Sequence, residues 1–243
     1  MRDNTPRVVD RATWRAERDA LLVREKAHTR EGDTIAAARR RLPMVEIAAD
    51  TAVAGPVPLL DVFEGRDQLV AYVHMWFDGG SAGEQCEGCT FYNGQIRELS
   101  YLHSRSVTYA TICQGPYAES VRYRDFMDWD VPWYSIGDAE DALLAGRGFA
   151  HLVCYLRDGD RVFETYSTNG RGFEAMAPSY RLLDLTIYGR QETWEDSPAG
   201  WPQHWRVSSR NLRHDGRPTA QWSRLAAGRS DDLTAQPAES RQA

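Results

Sequence analysis

Residues 68–77 read QLVAYVHMWF, a near-continuous apolar run rich in β-branched and aromatic side chains. A run this short and this uniformly apolar suits a strand covered on both faces, as in a parallel sheet flanked by helices. The polar, glycine-rich DGGSAGEQ follows it, and then Cys86-Glu87-Gly88-Cys89. Beyond Cys89, the residues Tyr92, Ile96 and Leu99 fall at i, i+4, i+7, which predicts a helix starting near the cysteine pair, with Gly94 its weak point.

The alternation continues. SVTYATIC at 106–113 predicts a second strand, Pro116 to Met127 a helix, and VPWYS a short extended piece. Right-handed crossovers place the first two strands side by side and parallel. FAHLVCYLRDGDRVFETYST then reads as two strands around Asp158-Gly159, a hairpin signal, and an amphipathic segment follows from Gly172 to Leu185. Helix-flanked parallel strands, an antiparallel hairpin and a further helix form the order of a thioredoxin-like α/β fold. The cysteine pair falls where that fold carries its active site, after the first central strand.

Four segments organise the chain. Residues 1–50 form an N-terminal helical arm, with a helix over 11–41 that Gly32 and Asp33 are expected to split, ending at Pro43. Residues 51–185 form the thioredoxin-like core. Residues 186–227, with Trp194, Trp201 and Trp205 among turn formers, are expected to pack aromatic rings onto the core as an extension. Residues 228–243 lack apolar periodicity and are expected to be disordered.

Composition narrows the functional classes. A net charge of -6 and dispersed basic residues, apart from Arg39 to Arg41, argue against a nucleic-acid partner. No apolar run reaches the roughly 20 residues that cross a bilayer, and the first ten residues have no signal-peptide core, so no membrane partner and a cytoplasmic location are expected. In a reducing compartment, four cysteines are poor structural staples, and a close pair points to catalysis or metal. The scattered glycines form no dinucleotide or phosphate loop, and no resident cofactor is expected. The sequence leaves the oligomeric state open.

The segments WRAERDALLVREKAHTREGDTIAAARRRLPMVEI, LLDVFEGRDQLVAYVHMWF, CEGCTFYNG, YSTNGRGFEAM and LLDLTIYGRQE, in this order over roughly residues 8–210, resemble an uncharacterised bacterial thioredoxin-like family catalogued as a domain of unknown function. The resemblance implies the fold and a dithiol at Cys86 and Cys89. The chain departs from thioredoxins proper in enclosing Glu87-Gly88 between its cysteines and in having no proline in GRGFAHLVCYL.

Three uses of the pair remain open. In the first, Cys86 is the catalytic nucleophile at a helix start and Cys89 the resolving thiol, acting on a small-molecule or protein thiol or disulfide. Glu87 opposes strong activation of the thiolate. In the second, Cys86, Cys89 and His151 bind copper or zinc, since thiolate and imidazole suit both metals. In the third, the fold is a ligand-binding module and the pair is inert. Trp133, Tyr134 and Arg171 are the candidate substrate-binding residues, the first two as an aromatic cleft wall and Arg171 as an anion holder, with core packing and surface pairing as the competing readings. His74, Cys113 and Cys154 are expected in the core.

Overall fold

The computed structural model describes residues 5–53, 57–205, 212–230 and 233. The first element, α1 (Arg11–Arg39), is capped by Asp10, whose carboxylate accepts the Thr13 N–H at 2.8 Å. It runs unbroken through Gly32-Asp33, where a break was expected. One helical glycine costs only about 1 kcal/mol relative to alanine, too little to end a helix of this length. None of its residues is buried, and Trp14 and Leu21 stay about half exposed.

Short pieces follow: β1 (Val45–Ile47), β2 (Ala52–Val53), β3 (Val57–Pro58) and α2 (Leu59–Val62). The central strand β4 (Gln68–His74) comes from the apolar run. A glycine-rich loop with one 3-10 turn leads to α3 (Glu87–Asn93), then α4 (Ser100–His103) and β5 (Val107–Cys113). The helix after the cysteines ends at Gly94 instead of continuing to Leu99. Ile96 and Leu99 still pack against the core, from an irregular turn.

After β5 come α5 (Tyr117–Met127), β6 (Trp133–Ser135), α6 (Glu140–Leu144), β7 (His151–Asp158) and β8 (Arg161–Asn169). The hairpin turn is Gly159-Asp160, between the paired Asp158 and Arg161, with Gly159 at φ 64° where a side chain is disfavoured. A 3-10 segment precedes α7 (Pro178–Asp184). Near the C-terminus lie β9 (Arg213–His214), β10 (Arg217–Pro218) and α8 (Trp222–Ala226).

The main sheet has the order β1-β8-β7-β4-β5-β6. Strands β4, β5 and β6 are parallel, while β7 is antiparallel to β4 and to β8, and β1 is antiparallel to β8. This is the expected thioredoxin-like α/β architecture with an N-terminal helix. Side chains alternate across the sheet. Leu69, Ala71, Val73, Ile112 and Val153 face one core with Leu59 and Leu143. Tyr72, Tyr109, Cys113 and Leu152 face the other, with Cys89, Tyr123, Trp129 and Trp133. The dithiol belongs to this second, aromatic side.

The Trp-rich segment attaches differently from expectation. Trp194 and Trp205 are 47% and 45% exposed, and Trp201 stacks edge-on to Tyr188 at 5.4 Å. The tie is polar: buried Arg190 donates to Asp184 at 2.7 Å and to Glu174 at 3.0 Å. Of the stretch expected to be a disordered tail, Arg229 donates to the Asp125 carbonyl and the Asp128 carboxylate, and Leu233 is buried. Apart from residues 228–230 and 233, that stretch lies outside the described residues. Among the described residues no helix is long and apolar enough to cross a membrane.

Candidate dithiol site

The loop after β4 is braced from within by a buried glutamine. Buried Gln85 accepts the Phe77 N–H at 2.9 Å and donates to the Phe77 and Gly80 carbonyls, both at 3.0 Å. That brace turns the backbone so that Cys86 becomes the N-cap of α3. The Cys89 N–H points at the Cys86 sulfur at 3.5 Å. Thr90 fixes the same turn by donating to the Cys86 carbonyl at 2.7 Å, and its hydroxyl meets that of Tyr123 at 2.8 Å.

The two sulfurs sit in opposite environments. Cys86 is half-buried, and its thiol pKa is pulled down to about 7. The hydrogen bond from the Cys89 thiol is the leading cause; the Cys89 and Gly88 backbone N–H groups help, while burial and Glu87 oppose. Cys89 is fully buried and its thiol is pushed far up, first by burial and then by Cys86. Its sulfur accepts the Met75 N–H at 3.3 Å, and the nearby Tyr72 hydroxyl partly offsets the upward shift. All four cysteines are free thiols.

Residues far away in sequence complete the surroundings. Glu87 is buried and ion-paired to Arg213, which also donates to the Gly83 carbonyl at 2.6 Å and the Gln85 carbonyl at 3.1 Å. Buried Gln221 donates to the Ala82 carbonyl at 2.6 Å and to Tyr123 at 3.1 Å. The segment carrying β9, β10 and α8 thus clamps the glycine-rich loop. Sequence reasoning missed Gln85, Arg213 and Gln221, because single polar residues carry no periodic signal.

The remaining expected residues separate. His151 is a correction: it pairs with Val73 across β4 and β7, and Val73 and Val153 face the first core, so the sheet lies between its ring and the dithiol. The set Cys86, Cys89 and His151 does not converge, and among the described residues no group of three metal-ligating side chains does. Trp133 and Tyr134 do not form one wall. Trp133 is buried in the aromatic core, donating to Ser120 at 3.0 Å, whereas Tyr134 packs on the opposite core. Arg171 is exposed, bonded to Glu174 at 2.9 Å and lying 4.5 Å from the Trp194 ring. Surface pairing, the competing reading, describes it.

His74 and Cys113 are core residues as expected. His74 is buried and donates from Nδ1 to the Met75 carbonyl at 2.7 Å, and burial lowers its pKa to about 4, so it is neutral at pH 7. Burial raises the Cys113 thiol to about 12. Cys154 is only half-buried, and burial raises its thiol as well.

The strand order and the reduced Cys-x-x-Cys at the start of the helix after β4 define a thioredoxin-like α/β protein. The chain belongs to the family described as bacterial protein of unknown function (DUF899), whose model matches residues 3–214. No curated protein matches it. Among solved structures it is similar to peroxidoxin BcpB from Mycobacterium tuberculosis, with 18% identity over 56% of this chain and 91% of that chain and a TM-score of 0.33.

Proposed function

We propose that the protein carries out thiol–disulfide exchange through Cys86 and Cys89. The reading rests on the division between the sulfurs: one half-open with its pKa near 7, the other buried, protonated and hydrogen-bonded to the first. The Cys86 thiolate attacks a disulfide R–S–S–R′, forming Cys86–S–S–R and expelling R′S⁻. Cys89 then attacks the Cys86 sulfur, the Cys86–Cys89 disulfide forms, and RS⁻ leaves, taking up the Cys89 proton. Two electrons pass from the dithiol to the substrate. A pKa close to ambient pH suits the attacking thiol, because the thiolate fraction and its nucleophilicity are then both substantial. A small-molecule or protein disulfide in a reducing cytoplasm fits this chemistry.

The test is a trapping experiment. With an aryl disulfide reagent, Cys89→Ser should accumulate a mixed disulfide mapped by mass spectrometry to Cys86, while the unaltered protein should pass on to an internal Cys86–Cys89 disulfide. Cys86→Ser should do neither. A pair that stays reduced while Cys86 is alkylated readily would rule out the exchange mechanism.

A further inference from the structure

A cavity of about 500 Å³ opens at the start of β7, lined by Arg147, Phe149, His151, Ser167 and Asn169 among others. His151 is 2% exposed, yet neither ring nitrogen makes a hydrogen bond of ordinary length and angle among the described residues. Burial, and after it the Arg147 charge, lower the His151 pKa; the Gly148 backbone opposes them without completing such a bond. Leaving buried polar groups unsatisfied is costly, so a site that holds several invites a ligand that completes them.

Arg147 adds to the set. Its two terminal nitrogens hold the Glu164 carboxylate at 2.7 and 2.8 Å, and one of them also reaches the Leu143 carbonyl at 3.0 Å. Its Nε–H is buried and has no hydrogen-bond partner among the described residues. Arg147 Nε can only donate, and His151 offers one donor when neutral and two when protonated. Arg147 and Glu164 cancel in charge, and burial with Arg147 keeps His151 neutral in the empty site, so an added anion supplies the charge that would let His151 take up a proton. Ser167 supplies a hydroxyl near Arg147 at 3.4 Å, and Phe149 supplies an apolar wall.

We propose that this cavity is a binding site for a small organic carboxylate, with Arg147 Nε and His151 donating to its oxygens and Phe149 flanking its hydrocarbon part. The site goes beyond the exchange chemistry and does not depend on it. His151 shares the Val73 face of the sheet, and Cys89 packs on the Tyr72 face.

The experiment titrates the reduced full-length protein with acetate and benzoate, and with acetamide and benzamide as neutral counterparts, following the His151 ring nitrogens by NMR. Saturable shifts are expected with at least one carboxylate, with the matching amide about tenfold or more weaker because the charge-assisted bonds are lost. His151→Leu should remain folded, since it removes unsatisfied nitrogens at similar volume, and should lose the binding while Cys86 alkylation proceeds unchanged. Equal binding of acid and amide, no saturable response to either acid, or unaltered affinity in His151→Leu would overturn the proposal. Should the variant fail to fold, the ring-nitrogen titration of the unaltered protein decides alone.

Discussion

The Arg213 guanidinium is ion-paired to the Glu87 carboxylate, which is buried between the two cysteines in sequence. A lone carboxylate next to Cys86 would hold the thiolate back, and Glu87 does raise the Cys86 pKa. The partner from β9 supplies the opposite charge at the same place. The Cys86 environment is therefore set partly by a residue far along the chain.

Replacing Glu87 by Gln should drop the Cys86 pKa below about 7, because the opposing carboxylate is removed and Arg213 is left uncancelled. The pH dependence of Cys86 alkylation reads this directly. Arg213→Met should instead destabilise the fold by roughly 3 kcal/mol in denaturant unfolding, since it strands a buried carboxylate. An alkylation midpoint that moves upward in Glu87→Gln would contradict the assignment.

The reduced protein should grow more stable as pH rises from about 7 to about 9. Cys86 is depressed from the ordinary 9.0 to about 7, so between those values the unfolded chain binds the extra proton. The gain is on the order of 3 kcal/mol and is lost again as pH falls through about 7. Above pH 9, the buried Cys89 opposes any further gain because its own pKa is raised. Unfolding free energies measured across this window in the reduced protein and in Cys86→Ser should differ by a rising limb that only the former shows.

Gly115 lies where a side chain has no room. A Cβ there would stand 2.3 Å from the Trp76 ring, which is buried and packs edge-on to Tyr123 at 5.7 Å. Gly115→Ala should force the indole aside and cost about 2 kcal/mol of stability. Chemical denaturation checks the cost, and near-ultraviolet circular dichroism should change with it; an unchanged midpoint would show that the ring moves freely.

Much of the fold was legible because its signals are local. The run that forms β4, the strand Val107–Cys113 and the hairpin all show in short windows of sequence, and the parallel pairing of β4 and β5 followed from crossover handedness. The placement of Cys86 at a helix start was readable from the glycine-rich stretch and the spacing after Cys89. His151 was misplaced for want of register. It has the parity of Val153 and Tyr155, which face the first core, and only the pairing with Val73 fixes that face. Trp133 and Tyr134 are neighbours in sequence and therefore point to opposite sides of β6, which strand alternation alone could have revealed. Arg213 and Gln221 reach the loop through isolated long-range hydrogen bonds, and nothing in their own neighbourhoods announces it.

The helix α1 buries none of its residues, and its Arg39 lies over Tyr166 near the helix end. Opening its turns therefore uncovers little apolar surface, and its backbone amides should exchange with solvent through local helix–coil fluctuations that leave the sheet intact. Amides of β4, paired on both sides, should exchange only when the whole domain opens. One chain thus carries two separate scales of stability, and a midpoint that reports loss of the core is blind to most of what happens along its first helix.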